Sequence, residues 1–238
     1  MKEKIINVLK LAFCFILFLY IGDIFRFILI TFNIDTSKLS FVSRSFLELI
    51  MAIIMTFFTC MIYYKDLKHD FKEFKVNMKN KILFSLKVFG IMFLFKVFSS
   101  YLADVLAGMM GVEITTSENQ SLINDMFYEF TLLICLSATI LAPLYEETIF
   151  RLGFKKCISN RVLFVLVSGC LFGFIHIFPT DLNIKLALLQ SISYVSMGLC
   201  LAYFYQKFNN IFYSIMLHFF NNFFSVIVML LLSIFNLI

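Results

Sequence analysis

Two adjacent glutamates and an arginine stand in the stretch LYEETIFR, residues 144–151, inside a run that is otherwise apolar. Ionised side chains inside a bilayer are costly and rare, so such a cluster points to function before it points to packing. On a helix Glu147 and Arg151 lie four residues apart on one face, with the acid on the N-terminal side, the favourable order for an intrahelical ion pair. Glu146 is rotated from them by about 100° and has no partner at that spacing, which leaves it for another helix or for a water. Pro143 removes a backbone donor and should loosen the turn before it. Alone, the cluster reads equally well as a structural salt-bridge knot or as part of a catalytic site.

Two further stretches bear on that choice. FGFIH, 172–176, puts Phe172 and His176 on one helical face, and HFFNN, 218–222, does the same for His218 and Asn222. These are the two histidines within apolar runs; the third, His69, belongs to a lysine-rich segment and reads as part of a solvated face. Two histidines, an asparagine and an unpaired glutamate on three separate helices form a set that packing alone does not require. At 1.5 Å per residue, His218 lies about 12 Å from Asn210, His176 about 22 Å from Arg161 and Glu146 about 13 Å from Lys155. The groups can then meet slightly to the cytoplasmic side of mid-membrane, provided the helix bearing Glu146 continues past Lys155.

The elements that must position them are membrane helices. Of 238 residues 61% are hydrophobic and only 15% charged, and the mean hydropathy is +0.94. A soluble domain is about half apolar and about a quarter charged, and could not bury so much apolar surface. Apolar runs predict seven spans at 11–32, 46–64, 82–108, 127–154, 162–178, 184–205 and 211–236. The first is too long for a signal peptide and lacks a small-residue cleavage site, so it is expected to stay. Alternating short strands are absent from the pattern, which predicts an all-α polytopic bundle instead of a membrane barrel. Asp23 and Arg26, three residues apart, read as a structural ion pair.

Thirteen basic residues fall at one end of these spans, six of them in the loop KDLKHDFKEFKVNMKNK at 65–81, and only Lys38, Arg44 and Lys185 at the other. That asymmetry predicts a cytoplasmic N-terminus and an external C-terminus. The net charge of +5 then reflects topology and anionic headgroups, not nucleic-acid binding. The six cysteines lie mostly within spans, contain no C-x-x-C and read as small buried hydrophobes.

Glu146-Glu147-x-x-x-Arg151, Phe172-x-x-x-His176 and His218-x-x-x-Asn222 resemble, in order, the three motifs of the CAAX-protease and bacteriocin-processing (CPBP, or Abi) family of intramembrane proteases, which includes the type 2 CAAX prenyl proteases. The resemblance covers roughly residues 121–238 as a four-span catalytic core. Residues 1–120, with three spans, are compatible with it. It implies an intramembrane endopeptidase in which Glu146 and His176 activate a water, His218 and Asn222 stabilise the oxyanion, and Glu147 with Arg151 braces the site. Peptide hydrolysis without a serine or cysteine nucleophile does need an activated water and oxyanion donors, and these residue types supply both.

Zinc is the rival cofactor, with Glu146, His176 and His218 as a three-ligand set leaving one open position. No H-E-x-x-H is present and Asn222 is a poor zinc ligand, which favours a metal-free glutamate mechanism with no cofactor. Two non-enzymatic readings remain: a catalytically idle scaffold or bacteriocin self-immunity protein of the same fold, and a proton-relaying transporter. The transporter predicts inverted repeats or matched glycine-broken helices, which the sequence lacks. The expected partners are the lipid bilayer and a peptide or protein substrate, lipidated or a leader peptide. The Phe-, Ile- and Lys-heavy composition suggests a bacterial cell membrane.

Overall fold

Helices of long apolar runs dominate the chain, as the hydropathy pattern requires. The structure is a computed structural model that describes residues 2–112, 133, 135–177 and 184–235. Four helices come first: α1 (Lys2–Thr31), α2 (Phe41–Ile62), α3 (Tyr64–Lys75) and α4 (Met78–Met110). A composite helix carries the glutamates. Its described part runs through a π-helical turn, Ser137–Leu141, α5 (Ala142–Glu147), a second π-helical turn, Thr148–Gly153, and α6 (Phe154–Cys157). It is followed by α7 (Arg161–Ile175), α8 (Ile184–Phe208) and α9 (Ile211–Ile234). No strand occurs among the described residues, so the fold is all-helical.

Five helices, α1, α2, α4, α8 and α9, are long and apolar enough to cross a membrane. They match five of the seven expected spans. The expected span at 162–178 is the shorter helix α7. The one at 127–154 is the composite helix, which does run on past Lys155 to Cys157, and whose start lies outside the described residues, as do the 120–121 boundary and Pro179. Bulky apolar side chains face outward along the long helices, Phe27, Ile91 and Leu94 among them. In lipid that exposure costs nothing, whereas every backbone group must be paired internally, which helices do.

Two expectations are corrected. The lysine-rich segment is not a loop but includes the amphipathic helix α3, which buries Leu67, Asp70 and Phe74 at helical spacing and leaves its lysines outward. Asp23 and Arg26 do not pair with each other; Arg26 lines an internal cavity instead. His69 is exposed on α3, as expected, and the six cysteines are free thiols, only Cys14 of them fully buried.

Helix ends close the lysine-rich pole of the bundle. Asp70 of α3 accepts the backbone N–H of Ile211 at 2.9 Å and so caps α9, while its carbonyl accepts from Asn210 Nδ2 at 2.8 Å. Lys156 pairs with Asp66 at 2.8 Å, tying α6 to α3. Between these ties and the glutamates lies an apolar core built around Tyr63, Phe150, Phe154 and Phe164. The connection from α1 to α2, the end of α4 and the start of α8 lie at the opposite pole.

Candidate active site

Pro143 sets the local geometry. In the π-helical turn before it each carbonyl bonds the N–H five residues on, as Ser137 does with Ala142. The carbonyl of Ala138 would look to residue 143, and proline has no N–H to offer. That carbonyl instead accepts a hydrogen bond from Asn222 Nδ2 of α9 at 2.8 Å. The missing donor that loosens the helix thus becomes the anchor of a candidate site residue.

One turn later the helix buries its ion pair. Glu147 and Arg151 are both fully inaccessible, with Nε–Oε2 at 2.9 Å and Nη2–Oε1 at 3.4 Å. Arg151 Nη1 also donates to Ser168 on α7, to Oγ at 2.7 Å and to the carbonyl at 3.1 Å, and the guanidinium lies 4.7 Å from the centre of the Phe172 ring. Glu147 accepts further bonds from α9, through the Ser214 hydroxyl and through His218 Nδ1 at 3.0 Å. Its carboxylate is saturated with donors. Glu147 therefore braces three helices and has no lone pair to spare for a reacting water.

Glu146 is different. Its Oε2 is buried and has no hydrogen-bond partner among the described residues. His176 Nε2 stands 3.7 Å from that oxygen and His218 Nε2 stands 3.9 Å from it. The chemistry of each ring's other nitrogen orients it. His176 Nδ1 faces the Phe172 carbonyl at 2.6 Å, and His218 Nδ1 faces the Glu147 carboxylate; both partners only accept, so both Nδ1 atoms carry a proton. Both Nε2 atoms are consequently turned to Glu146. The gaps exceed a direct hydrogen bond and suit a bridging water.

Close packing places His176. On α7 an added Cβ at Gly169 would meet Leu199 of α8 at 2.7 Å, and one at Gly173 would meet Val195 at 2.4 Å, its backbone at 2.5 Å. The two glycines let α7 lie directly against α8, the small-residue contact that joins helices in lipid. His176 then ends α7 between the Phe172 ring, tilted against it with centroids 4.5 Å apart, and the Tyr194 ring of α8, which stacks on it at 5.5 Å.

Glu146, His176, His218 and Asn222 all line one cavity of about 770 Å³. Its walls reach Leu39 in the α1–α2 connection, Arg44 in the first turn of α2, Asp104 on α4 and Gln190 on α8. The cavity therefore extends from the site toward the pole opposite α3, while Arg151, Phe150 and Phe164 fill the space on the α3 side.

The residues that would hold a zinc ion are Glu146, His176 and His218, with Glu146 Oε2 standing 3.7 Å and 3.9 Å from the two Nε2 atoms. Tetrahedral zinc with bonds of about 2.0–2.1 Å holds its ligand atoms roughly 3.4 Å apart. Among the described residues the only His, Cys, Asp or Glu trio with ligand atoms all within 4.8 Å of one another is His69, Asp70 and Glu73, on the surface.

Sequence reasoning missed Ser168, Ser214 and Tyr194, which hold Arg151, Glu147 and His176. No spacing rule marks such residues across helices. It also passed over Lys96, a cation within the third expected span, whose depth was a signal. Lys96 lines the cavity and donates to Asn221 Oδ1 at 3.2 Å.

Five helices long and apolar enough to cross a membrane thus surround a polar site of Glu146, His176, His218 and Asn222, the arrangement of an integral membrane protein. The family model for type II CAAX prenyl endopeptidase Rce1-like proteins matches residues 128–224 of the chain, the segment that carries Glu146, His176, His218 and Asn222. No curated protein and no solved structure matches the chain.

Proposed function

We propose that the chain is an intramembrane endopeptidase that hydrolyses a peptide bond with a water activated by Glu146 and His176. The observation that carries this reading is the buried, unpartnered Glu146 Oε2 between two imidazole nitrogens. A water beside this gap donates its two protons toward Glu146 Oε2 and His176 Nε2, which turns an oxygen lone pair toward the cavity. As that oxygen bonds to the substrate carbonyl carbon, Glu146 takes a proton. The carbonyl oxygen gains negative charge and is met by Asn222 Nδ2–H and by Nε2–H of a protonated His218, whose Nδ1–H stays on Glu147. When the C–N bond breaks, Glu146 returns the proton to the leaving amine. If zinc were bound by Glu146, His176 and His218 after movement of the rings, it would supply Lewis acidity at the same place.

The bilayer reading carries a topology with it. The composite helix and α7 complete a seven-span bundle, with the N-terminus and α3 cytoplasmic by the lysine and arginine distribution, in a bacterial membrane. The substrate is a membrane-associated peptide, CAAX-like and lipidated or a leader peptide, that enters the cavity from the pole opposite α3. Protein reconstituted in liposomes and offered farnesylated CAAX peptides and leader peptides, with mass spectrometry of the products, tests this reading. Cleavage that survives a strong chelator is the expected result. Activity lost on chelation and restored by zinc would transfer the mechanism to the metal. A protein that cleaves nothing yet still acts in cells would be a scaffold or immunity protein.

A further inference from the structure

Asn222 does not stand alone. Asn221 Nδ2 donates to Asn222 Oδ1 at 2.9 Å, and Asn221 Oδ1 in turn accepts from Lys96 Nζ at 3.2 Å. The direction of this chain is set by chemistry at both ends. An ammonium has donors only, so the Asn221 atom beside Lys96 must be its oxygen. The other branch of that amide is then NH₂, and the Asn222 atom facing it must be an oxygen. Asn222 is left with its NH₂, one hydrogen of which reaches the Ala138 carbonyl freed by Pro143. The donor from Lys96 and the acceptor at Ala138 agree on one arrangement, and it leaves a single Asn222 N–H with no partner among the described residues, at the wall of the cavity.

We infer that Lys96 and Asn221 are positioning residues that hold the Asn222 carboxamide with this N–H turned to the reacting carbonyl. The inference rests on the oxyanion role proposed for Asn222. Without Lys96, only the Ala138 end of the chain fixes which way the Asn221 amide points. In its flipped state Asn221 puts oxygen against Asn222 oxygen, and the repulsion drives Asn222 out of line or turns an acceptor toward the oxyanion. The cation also polarises the chain, so each successive N–H is a stronger donor than an isolated amide would be. Lys96 sits on α4, so a helix outside the matched family segment sets the geometry of a residue inside it.

The experiment is a double-mutant cycle in reconstituted protein, reading kcat and KM separately. Lys96→Met is expected to lower kcat at least about tenfold and leave KM within twofold, since the lost contact acts in the transition state. Lys96→Arg keeps a donor and should retain most of the rate. In an Asn222→Ala background Lys96→Met should cost nothing further. Full additivity of the two losses overturns the inference. So does a rise in KM that disappears with a C-terminally amidated substrate, which would make Lys96 a binding site for the substrate carboxylate. A second readout needs no activity: in protein labelled with ¹⁵N-asparagine, Lys96→Met should shift the side-chain NH₂ signals of both Asn221 and Asn222. Unchanged signals overturn the relay. A wild-type protein that cleaves no peptide would instead sink the protease reading and leave the NMR result to decide the relay.

Discussion

Replacing Glu147 by Gln removes one negative charge from a position where nothing else can take its place. The carboxylate accepts two bonds from Arg151, one from His218 and one from Ser214. A carboxamide offers one oxygen and turns its NH₂ toward donors. Arg151 keeps its two bonds to Ser168 but stays fully buried without a counter-ion. Breaking a buried pair from one side costs about 3–5 kcal/mol, roughly two to three and a half powers of ten in the folded-to-unfolded ratio. Glu147→Gln should therefore lower the midpoint of detergent or thermal unfolding markedly and also abolish activity, because His218 loses the acceptor that fixes its ring. The double variant Glu147→Gln/Arg151→Met removes the uncompensated charge. It should recover much of the stability and none of the activity. Unfolding of reconstituted protein followed by thermal shift measures the first effect and peptide cleavage the second. A Glu147→Gln protein as stable as wild type would refute the brace, and an active one would refute the anchoring of His218.

Three further outcomes follow from the packing and topology. Pro143→Ala restores an N–H that can compete for the Ala138 carbonyl, so unfolding should become harder, by up to about 3 kcal/mol, while turnover falls. Gly173→Ala forces a Cβ against the Val195 backbone and should cost about 1–3 kcal/mol, with cleavage reduced through displacement of His176; Val195→Ala should not rescue it, because the clash is with main chain. In a cysteine-free background in intact cells, a membrane-impermeant maleimide should label Lys38→Cys and spare Lys68→Cys, and the reverse pattern would invert the assigned topology.

The polar parts of the site were legible in the sequence where a rule of local spacing applied. Glu147 and Arg151 declare their pairing through the i,i+4 interval, and Glu146 is conspicuous for lacking one. Pro143 announces a freed carbonyl but not its recipient, because Asn222 is 84 residues from Ala138 and only tertiary packing brings them together. The same limit hid Ser168 and Ser214. Gly169 and Gly173 form a small-xxx-small face that the sequence reading passed over, although in lipid that spacing marks a helix contact. The lysine-rich segment misled because its charge outweighed a three-residue buried stripe of Leu67, Asp70 and Phe74. Asp23 and Arg26 have the spacing of a pair, yet spacing does not oblige two charged groups to meet when one of them faces a cavity that holds other polar groups, Glu48 and Asp104 among them.

The central claim is that the lone Glu146 carboxylate is the base, and Glu146→Gln tests it most directly. The amide is nearly isosteric and Glu146 carries no structural bond from its Oε2, so the variant should fold with an unchanged unfolding midpoint. It should bind substrate with an affinity close to wild type and cleave it at a rate indistinguishable from background, since the amide cannot accept the proton of water. Measured side by side in liposomes on the same substrate, a folded Glu146→Gln protein with no cleavage supports the mechanism. A folded Glu146→Gln protein that cleaves at the wild-type rate contradicts it.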